Sequence, residues 1–374
     1  MPAGKAQNPR LLFVCQATPA LTGADVARRA AASLAALAAY YRVTLLLAPH
    51  AGKVVQPLDP DLAARLERLV WPRSGAPLSS EDLFDIVHVA GLEAAPAAAP
   101  WLATAGLRQI ELGPLRSRRA RSLARLARAQ GHMEEAERWL AVETEARQAE
   151  DAALASYSRL FVTWTGDQRT LQERASAQAS IAVLPDTLPI PECTLFPPPT
   201  RGDYTVLFVG DLGAEENADA MLHFCSTILP RIQAGAHRPV RLRIAGAGAG
   251  PALQRLAGQA GVELLGPLPD LETAYRDAHV VIAPQRAGAG PYLDALAALA
   301  LGRPLLATAI GAEGLALVHG EHAMLADDPA PFATATLRLL HDPALSQAMA
   351  EAGQRYFLDH HTRLALDRIF APGN

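Results

Sequence analysis

Two runs of alternating strand-like and helix-like segments, split by a proline-rich stretch, limit the folds open to this chain more than any other feature. Prolines recur from Pro185 to Pro199. Each removes a backbone donor and fixes φ, so the stretch reads as a linker rather than as part of a helix or sheet ladder. Before it, short apolar runs at 10–15, 43–48, 84–89, 107–112, 160–164 and 181–184 predict strands. Runs at 24–41, 59–69 and 117–155, the last broken near Gly131, predict helices. After it, strands are expected at 206–209, 240–245, 262–265, 280–283 and 304–308. Helices are expected at 218–229, 251–260, 292–301, 331–340, 344–359 and 363–370. Alternation of this kind favours α/β architecture with parallel sheets. With 374 residues, two domains are expected. The boundaries read as 1–188 for a first Rossmann-like domain, 189–202 for the linker and 203–355 for a second. The last helix, in 356–374, is expected to pack back on the first domain.

The net charge of −4 offers no global basic field for nucleic acid. Cys15, Cys193 and Cys225 are far apart and odd in number, which argues against a disulfide framework. No run reaches the ~20 apolar residues of a membrane span, and no secretory signal is evident. These features predict a soluble cytoplasmic protein. Arg116, Arg118, Arg119, Arg121, Arg125 and Arg128 form a basic cluster with two readings. It could rest on anionic lipid at the inner face of the membrane. It could equally be a solvated helix face paired with Glu134, Glu135 and Glu137. The eleven histidines show no metal-ligand spacing, so no metal site is expected.

The segment richest in chemistry runs from Pro284 to Gly290, then through an apolar helical stretch to Gly302-Arg303-Pro304 and a strand. Small residues at a loop that opens a helix let backbone N–H groups approach a diphosphate, and the helix dipole favours the negative charge. Gly288 and Gly290 supply that geometry, with Arg286 as the nearby cation; a tight turn without a ligand is the plainer alternative. A second glycine run, Gly246 to Gly250, does not carry the dinucleotide fingerprint. Pro251 stands where the third glycine is needed, and no acid follows about 20 residues on at a strand end.

Taken in order, these segments resemble a GT-B glycosyltransferase of the family 4 type. The N-terminal part of the resemblance is Leu12-Phe13-Val14 with Thr22-Gly23, then 84–88, then Arg138-Trp139-Leu140 with Glu143. The C-terminal part is fuller: Leu207-Phe208-Val209-Gly210 with Asn217, Leu242 to Gly246, Pro284, Arg286, Gly288, Gly290, Gly302, Pro304, Thr308 and Gly311-Ala312-Glu313-Gly314. The resemblance implies two Rossmann-like domains facing across a cleft. It also implies a metal-independent transfer of sugar from a nucleoside-diphosphate sugar, with no cofactor, to a glycan or lipid-linked acceptor on the N-terminal side, as in polysaccharide biosynthesis. Gly23, Gly210, Asn217, Arg286, Gly288, Gly290 and Glu313 are the implied donor-side residues.

The chain also departs from the family pattern. The places of two acidic residues hold Ala289 and Ala297, and the place of a basic residue early in the helix holds Asp294. A His-Asp pair expected after the strand at 107–112 is replaced by Glu111-Leu112-Gly113-Pro114. His88 and Glu111, near strand ends, are the substitutes that could act as general base, His88 being equally readable as a structural histidine. The diphosphate is therefore expected to nest against bare peptide amides with Arg286 alone beside it. The departures keep open a second reading, a catalytically impaired binding partner of another glycosyltransferase. A third reading is a sugar-nucleotide epimerase.

Overall fold

The structure, a computed structural model, describes residues 8–20, 25–48, 57–71, 78–79, 81–175, 179–191, 199, 202–268 and 271–372. Gly23 and most of the linker 189–202 lie outside the described residues. The chain divides into two units. One takes the chain up to Leu115, Thr144–Thr187 and the chain from Arg363 on; the other takes Arg116–Glu143 and Leu188–Thr362.

Among the described residues the first unit holds a seven-stranded parallel sheet. Its strands are β1 (Arg10–Cys15), β2 (Arg42–Leu47), β3 (Arg68–Val70), β4 (Ile86–Ala90), β5 (Leu107–Gly113), β6 (Arg159–Val162) and β7 (Ser180–Val183), in spatial order 3-2-1-4-5-6-7. The helices of the N-terminal half are α1 (Asp25–Leu37), α2 (Pro60–Ala63), α3 (Ala95–Leu102), α4 (Arg116–Ala129), α5 (Met133–Ser156) and α6 (Thr165–Gln172). The helix expected at 59–69 is shorter than its pattern suggested. Asp59 caps the first turn through Asp61 N and Leu62 N, but by Arg68 the chain is a strand. Leu69 and Val70 pair there with Leu45 and Leu46 of β2, and a sheet edge overrides a weak local helix preference. The break near Gly131 is real: Gly131 has φ +81°, which separates α4 from α5.

The second unit holds a six-stranded parallel sheet. It is built from β8 (Tyr204–Val209), β9 (Val240–Ala245), β10 (Val262–Gly266), β11 (Val280–Ala283), β12 (Leu305–Ala307) and β13 (Met324–Leu325), in order 10-9-8-11-12-13. Around it run α7 (Glu215–His223), a π-helical turn at Phe224–Ile228, α8 (Leu229–Gly235), α9 (Pro251–Leu256), α10 (Leu271–Arg276), α11 (Leu293–Ala300), α12 (Pro329–His341) and α13 (Pro343–His360). The final helix, α14 (Arg363–Phe370), buries Leu366 and Phe370 in the core of the first unit, beside Phe13 and Phe161. Both sheets reverse strand order at one point, between β1 and β4 and between β8 and β11. That is where open α/β sheets bind ligands, beyond the carboxyl ends of the strands.

The helix that matters most for the site is α11. Its Leu/Ala composition is strongly helix-forming, and Leu293, Leu296 and Leu299 fall three apart on one face, each at most 1% exposed. Burying each leucine stabilises the unit by about 1.5–3 kcal/mol relative to exposure. Gln354 Nε2 donates to the Ala300 carbonyl at 2.9 Å, satisfying one of the carbonyls left over at the helix end.

Candidate functional site

In the second unit, a small pocket lies at the strand-order reversal, lined by Val209, Gly210, Asn217, Ala283, Gln285, Tyr292 and Asp294 among others. The loop from β11 to α11 forms one wall and is locked from below. Thr308 Oγ1 donates to the Gln285 carbonyl at 2.6 Å and accepts from Gly311 N at 2.9 Å. Two glycines are dictated by sterics. A Cβ on Gly288, at φ +123°, would collide with Tyr292 Oη, and one on Gly290 would meet the Glu313 carbonyl. Tyr292 itself stays a neutral phenol. Burial, then the nearby Glu216 and Glu313 charges, raise its pKa well above the ordinary value.

Of the donor-side residues read from the sequence, Gly210 and Asn217 line this pocket, Arg286, Gly288 and Gly290 lie in the adjoining loop, and Glu313 accepts from Gly290 N. Gly210 lies at the end of β8. Asn217 donates to the Asp211 carbonyl at 2.9 Å and accepts from Gln285 Nε2 at 3.0 Å. Arg286 forms a two-point ion pair with Asp219, at 2.9 and 2.6 Å. Asp294 sits in the first turn of α11, where the helix dipole favours its charge.

One expectation is corrected. The amides of the loop are not bare, and Arg286 is not the only cation at hand. Gly288 N donates to Ser122 Oγ at 3.1 Å, and Gly290 N donates to Glu313 Oε2 at 3.0 Å. The same Glu313 oxygen lies 2.5 Å from Arg118 Nη1. Arg119 grips Glu216 through two bonds of 2.8 and 2.6 Å, with its guanidinium over the Trp139 ring. Burial opposes the Arg119 charge, but the hydrogen bond and charge of Glu216 outweigh it and raise the pKa.

Ser122, Arg118 and Arg119 all come from α4. The basic cluster therefore splits. Arg116, Arg121, Arg125 and Arg128 are exposed, and Arg121 pairs with Glu143 rather than with Glu134, Glu135 or Glu137. Arg118 and Arg119 are partly exposed and each is engaged by a carboxylate of the second unit, Glu313 and Glu216. Their role was missed in the sequence because their partners lie 195 and 97 residues away. The only sequence signal was the spacing of Arg118 and Ser122, four apart on one helix face.

In the first unit, His88 is central in β4 and fully buried. Its Nε2 lies 2.7 Å from Glu111 Oε1, and its Nδ1 lies 3.0 Å from Gln109 Oε1. Phe13 stacks on the ring at 5.2 Å, and Phe161 and Phe370 close its other sides. A ring with both nitrogens engaged and walls on its faces holds Glu111 in place rather than meeting substrate. Glu111 differs: it lines a small pocket with Arg29, Ser33, Thr163 and Asp186. Asp186 clasps Arg29 with bonds of 2.7 and 2.9 Å. Burial works against the Arg29 charge, yet Asp186 more than offsets it and raises the pKa. Of the two candidate bases, only Glu111 reaches open space.

Among the described residues, no group of three or more His, Cys, Asp or Glu side chains could hold a metal ion. No helix among them is long and apolar enough to cross a membrane.

Residues 203–342 match the family model described as Glycosyl transferases group 1. No curated protein matches the sequence. Among solved structures, sucrose-phosphate synthase from Thermosynechococcus elongatus is similar over 97% of each chain, with a TM-score of 0.69 and 17% identity. Anabaena HepE in complex with UDP and glucose is similar over 97% of this chain and 98% of its own, with a TM-score of 0.66 and 13% identity. A glycosyltransferase from Rickettsia africae ESF-5 is similar over 97% of each chain, with a TM-score of 0.62 and 10% identity. At these identities the likeness is one of fold. The chain has the two parallel-sheet α/β domains of the GT-B fold.

Proposed function

We propose that this chain is a glycosyltransferase that binds a nucleoside-diphosphate sugar in the second unit and passes the sugar to a glycan or lipid-linked acceptor. The observation that carries the reading is the glycine loop. Two of its backbone N–H groups, at Gly288 and Gly290, already hold oxygen atoms beside a guanidinium. An anion's oxygens seek the same partners, and a small pocket lined by Gly210, Asn217 and Gln285 adjoins the same loop. The family match over 203–342 supports the same chemistry.

In this reading protein donors, not a metal, stabilise the charge that develops on the leaving diphosphate. Glu111 is the candidate base for the acceptor hydroxyl, oriented by His88. Glu313 is the candidate partner for sugar or ribose hydroxyls, since a carboxylate accepts two hydrogen bonds. In this reading the setting is polysaccharide biosynthesis in the cytoplasm. The likeness to HepE, solved with UDP and glucose, is the reason to include UDP-glucose among the first donors assayed.

A second reading has its own observation. Ser122 and Glu313 already satisfy the loop amides, which suits a GT-B-shaped partner protein that holds another glycosyltransferase and no longer turns over. Calorimetry with UDP-, GDP- and dTDP-sugars, followed by assays for sugar release or transfer, separates the two. Binding with turnover supports the enzyme; binding to none of them sinks it in favour of the partner role.

A further inference from the structure

The loop from Pro284 to Gly290 contains one cation, and Asp219 already holds it at both ends of its fork. Where a basic side chain would serve, α11 carries Asp294. A diphosphate placed on the Gly288 and Gly290 amides would thus meet a carboxylate nearby and little positive charge from the loop itself. The charge arrives on α4. Arg118 lies 2.5 Å from the Glu313 oxygen that also accepts from Gly290 N. One turn further along the same face, Ser122 Oγ occupies Gly288 N. Arg119 reaches Glu216, whose side chain lies against Gly288.

We infer that Arg118 and Arg119 are the diphosphate-binding cations of this site, and that Glu313 and Glu216 occupy them as internal anions until a nucleotide displaces the carboxylates. The inference rests on the nucleoside-diphosphate reading above and names residues for it that lie outside the glycine loop. One Glu313 oxygen held between an amide and a guanidinium has the partner set of a bound phosphoryl oxygen. The forked guanidinium suits that exchange, because it binds a carboxylate or a phosphate with the same geometry.

A separate observation is an unpartnered buried acceptor next to the same loop. Gln285 is only 3% exposed and lines the pocket, yet its Oε1 has no hydrogen-bond partner, while its Nε2 is committed to Asn217. A buried carbonyl left without a donor is costly. An N–H or hydroxyl on the nucleoside end of the ligand would complete it. Anionic at one end and donor-bearing at the other, the ligand has the chemical pattern of a nucleoside diphosphate.

The test is calorimetry on the full chain with UDP, GDP and dTDP, and with the matching nucleosides. The proteins are wild type, Arg118→Gln, Arg119→Gln, Glu313→Gln and the Arg118→Gln/Glu313→Gln pair, each checked for fold by circular dichroism. Each arginine variant is expected to lose about ten- to hundredfold in affinity for whichever diphosphate wild type binds. Affinity for the nucleoside should stay unchanged, which a merely structural role would not predict. The double variant should bind the diphosphate more weakly than Glu313→Gln alone, because that comparison removes the repulsion of a freed carboxylate. Arg118→Lys and Arg119→Lys, which keep the charge and lose the fork, replace any glutamine variant that does not fold, with a smaller loss expected. If wild type binds a diphosphate and the arginine variants bind it equally well, the inference is overturned while the site reading stands. If wild type binds no nucleoside diphosphate, the site reading fails and the inference falls with it.

Discussion

Arg118 and Glu313, 195 residues apart in the chain, meet at 2.5 Å over the glycine loop of the second unit. The contact joins α4 to the segment after β12, where Glu313 also accepts from Gly290 N of the loop. It places a carboxylate where a ligand's anion would otherwise be held. Glu313→Gln should therefore strengthen binding of a nucleoside diphosphate lacking its sugar, by roughly three- to tenfold, since a charged competitor is replaced by a neutral one. Calorimetry reads this directly, and an unchanged or weaker affinity would show that Glu313 does not compete.

Arg286 is tied to Asp219 by two bonds. With that carboxylate in place, Arg286→Ala should weaken donor binding by only about 1 kcal/mol. In an Asp219→Asn background the same change should cost about 1.5–3 kcal/mol, the scale of a charge-assisted hydrogen bond. Equal losses in the two backgrounds would mean that Asp219 leaves the guanidinium free to act.

Glu111→Gln keeps the size of the side chain and a hydrogen-bonding partner for His88 but removes the base. Turnover should fall about 10²- to 10⁴-fold with donor affinity unchanged. His88→Ala tests something else. The buried ring touches Phe13, Phe161 and Phe370, so its loss should cost about 3–5 kcal/mol of stability, as for other large buried rings. Urea unfolding separates the stability effect from the kinetic one. Full activity in Glu111→Gln would remove Glu111 from the reaction.

His279 should make the second unit sensitive to mild acid. Burial first, then the Arg238 charge, push its pKa from 6.5 down to about 4, and its Nδ1 accepts from Thr205 N at 3.0 Å. The folded state thus binds fewer protons than the unfolded chain between those two values. Stability from this residue is full above about pH 6.5, declines as pH falls through the interval, and levels off below about pH 4. Urea midpoints across that range should decline less steeply for His279→Gln than for wild type. Parallel slopes would exclude His279 as the source.

The two α/β series, the parallel strands and the positions of Gly288 and Gly290 were legible from the sequence because each depends on local rules. Apolar runs of strand length, helix-forming stretches between them and glycines at a loop-to-helix junction act within a few residues. The helix expected at 59–69 was misread for the opposite reason. Leu69 and Val70 became a strand because β2 offered an edge to pair with, and no local window contains that edge. His88 posed the same problem: its residue type suggested chemistry, and only its three aromatic neighbours and two hydrogen bonds identify it as a support for Glu111.

By itself, then, the sequence determined the α/β architecture and the loop geometry around Gly288 and Gly290, since backbone sterics and side-chain periodicity operate at short range. Only the tertiary structure decided which charges meet there. An arginine on α4 has no partner until folding brings Glu313 and Glu216 beside it, and electrostatic pairing depends on distance in space rather than on position in the chain.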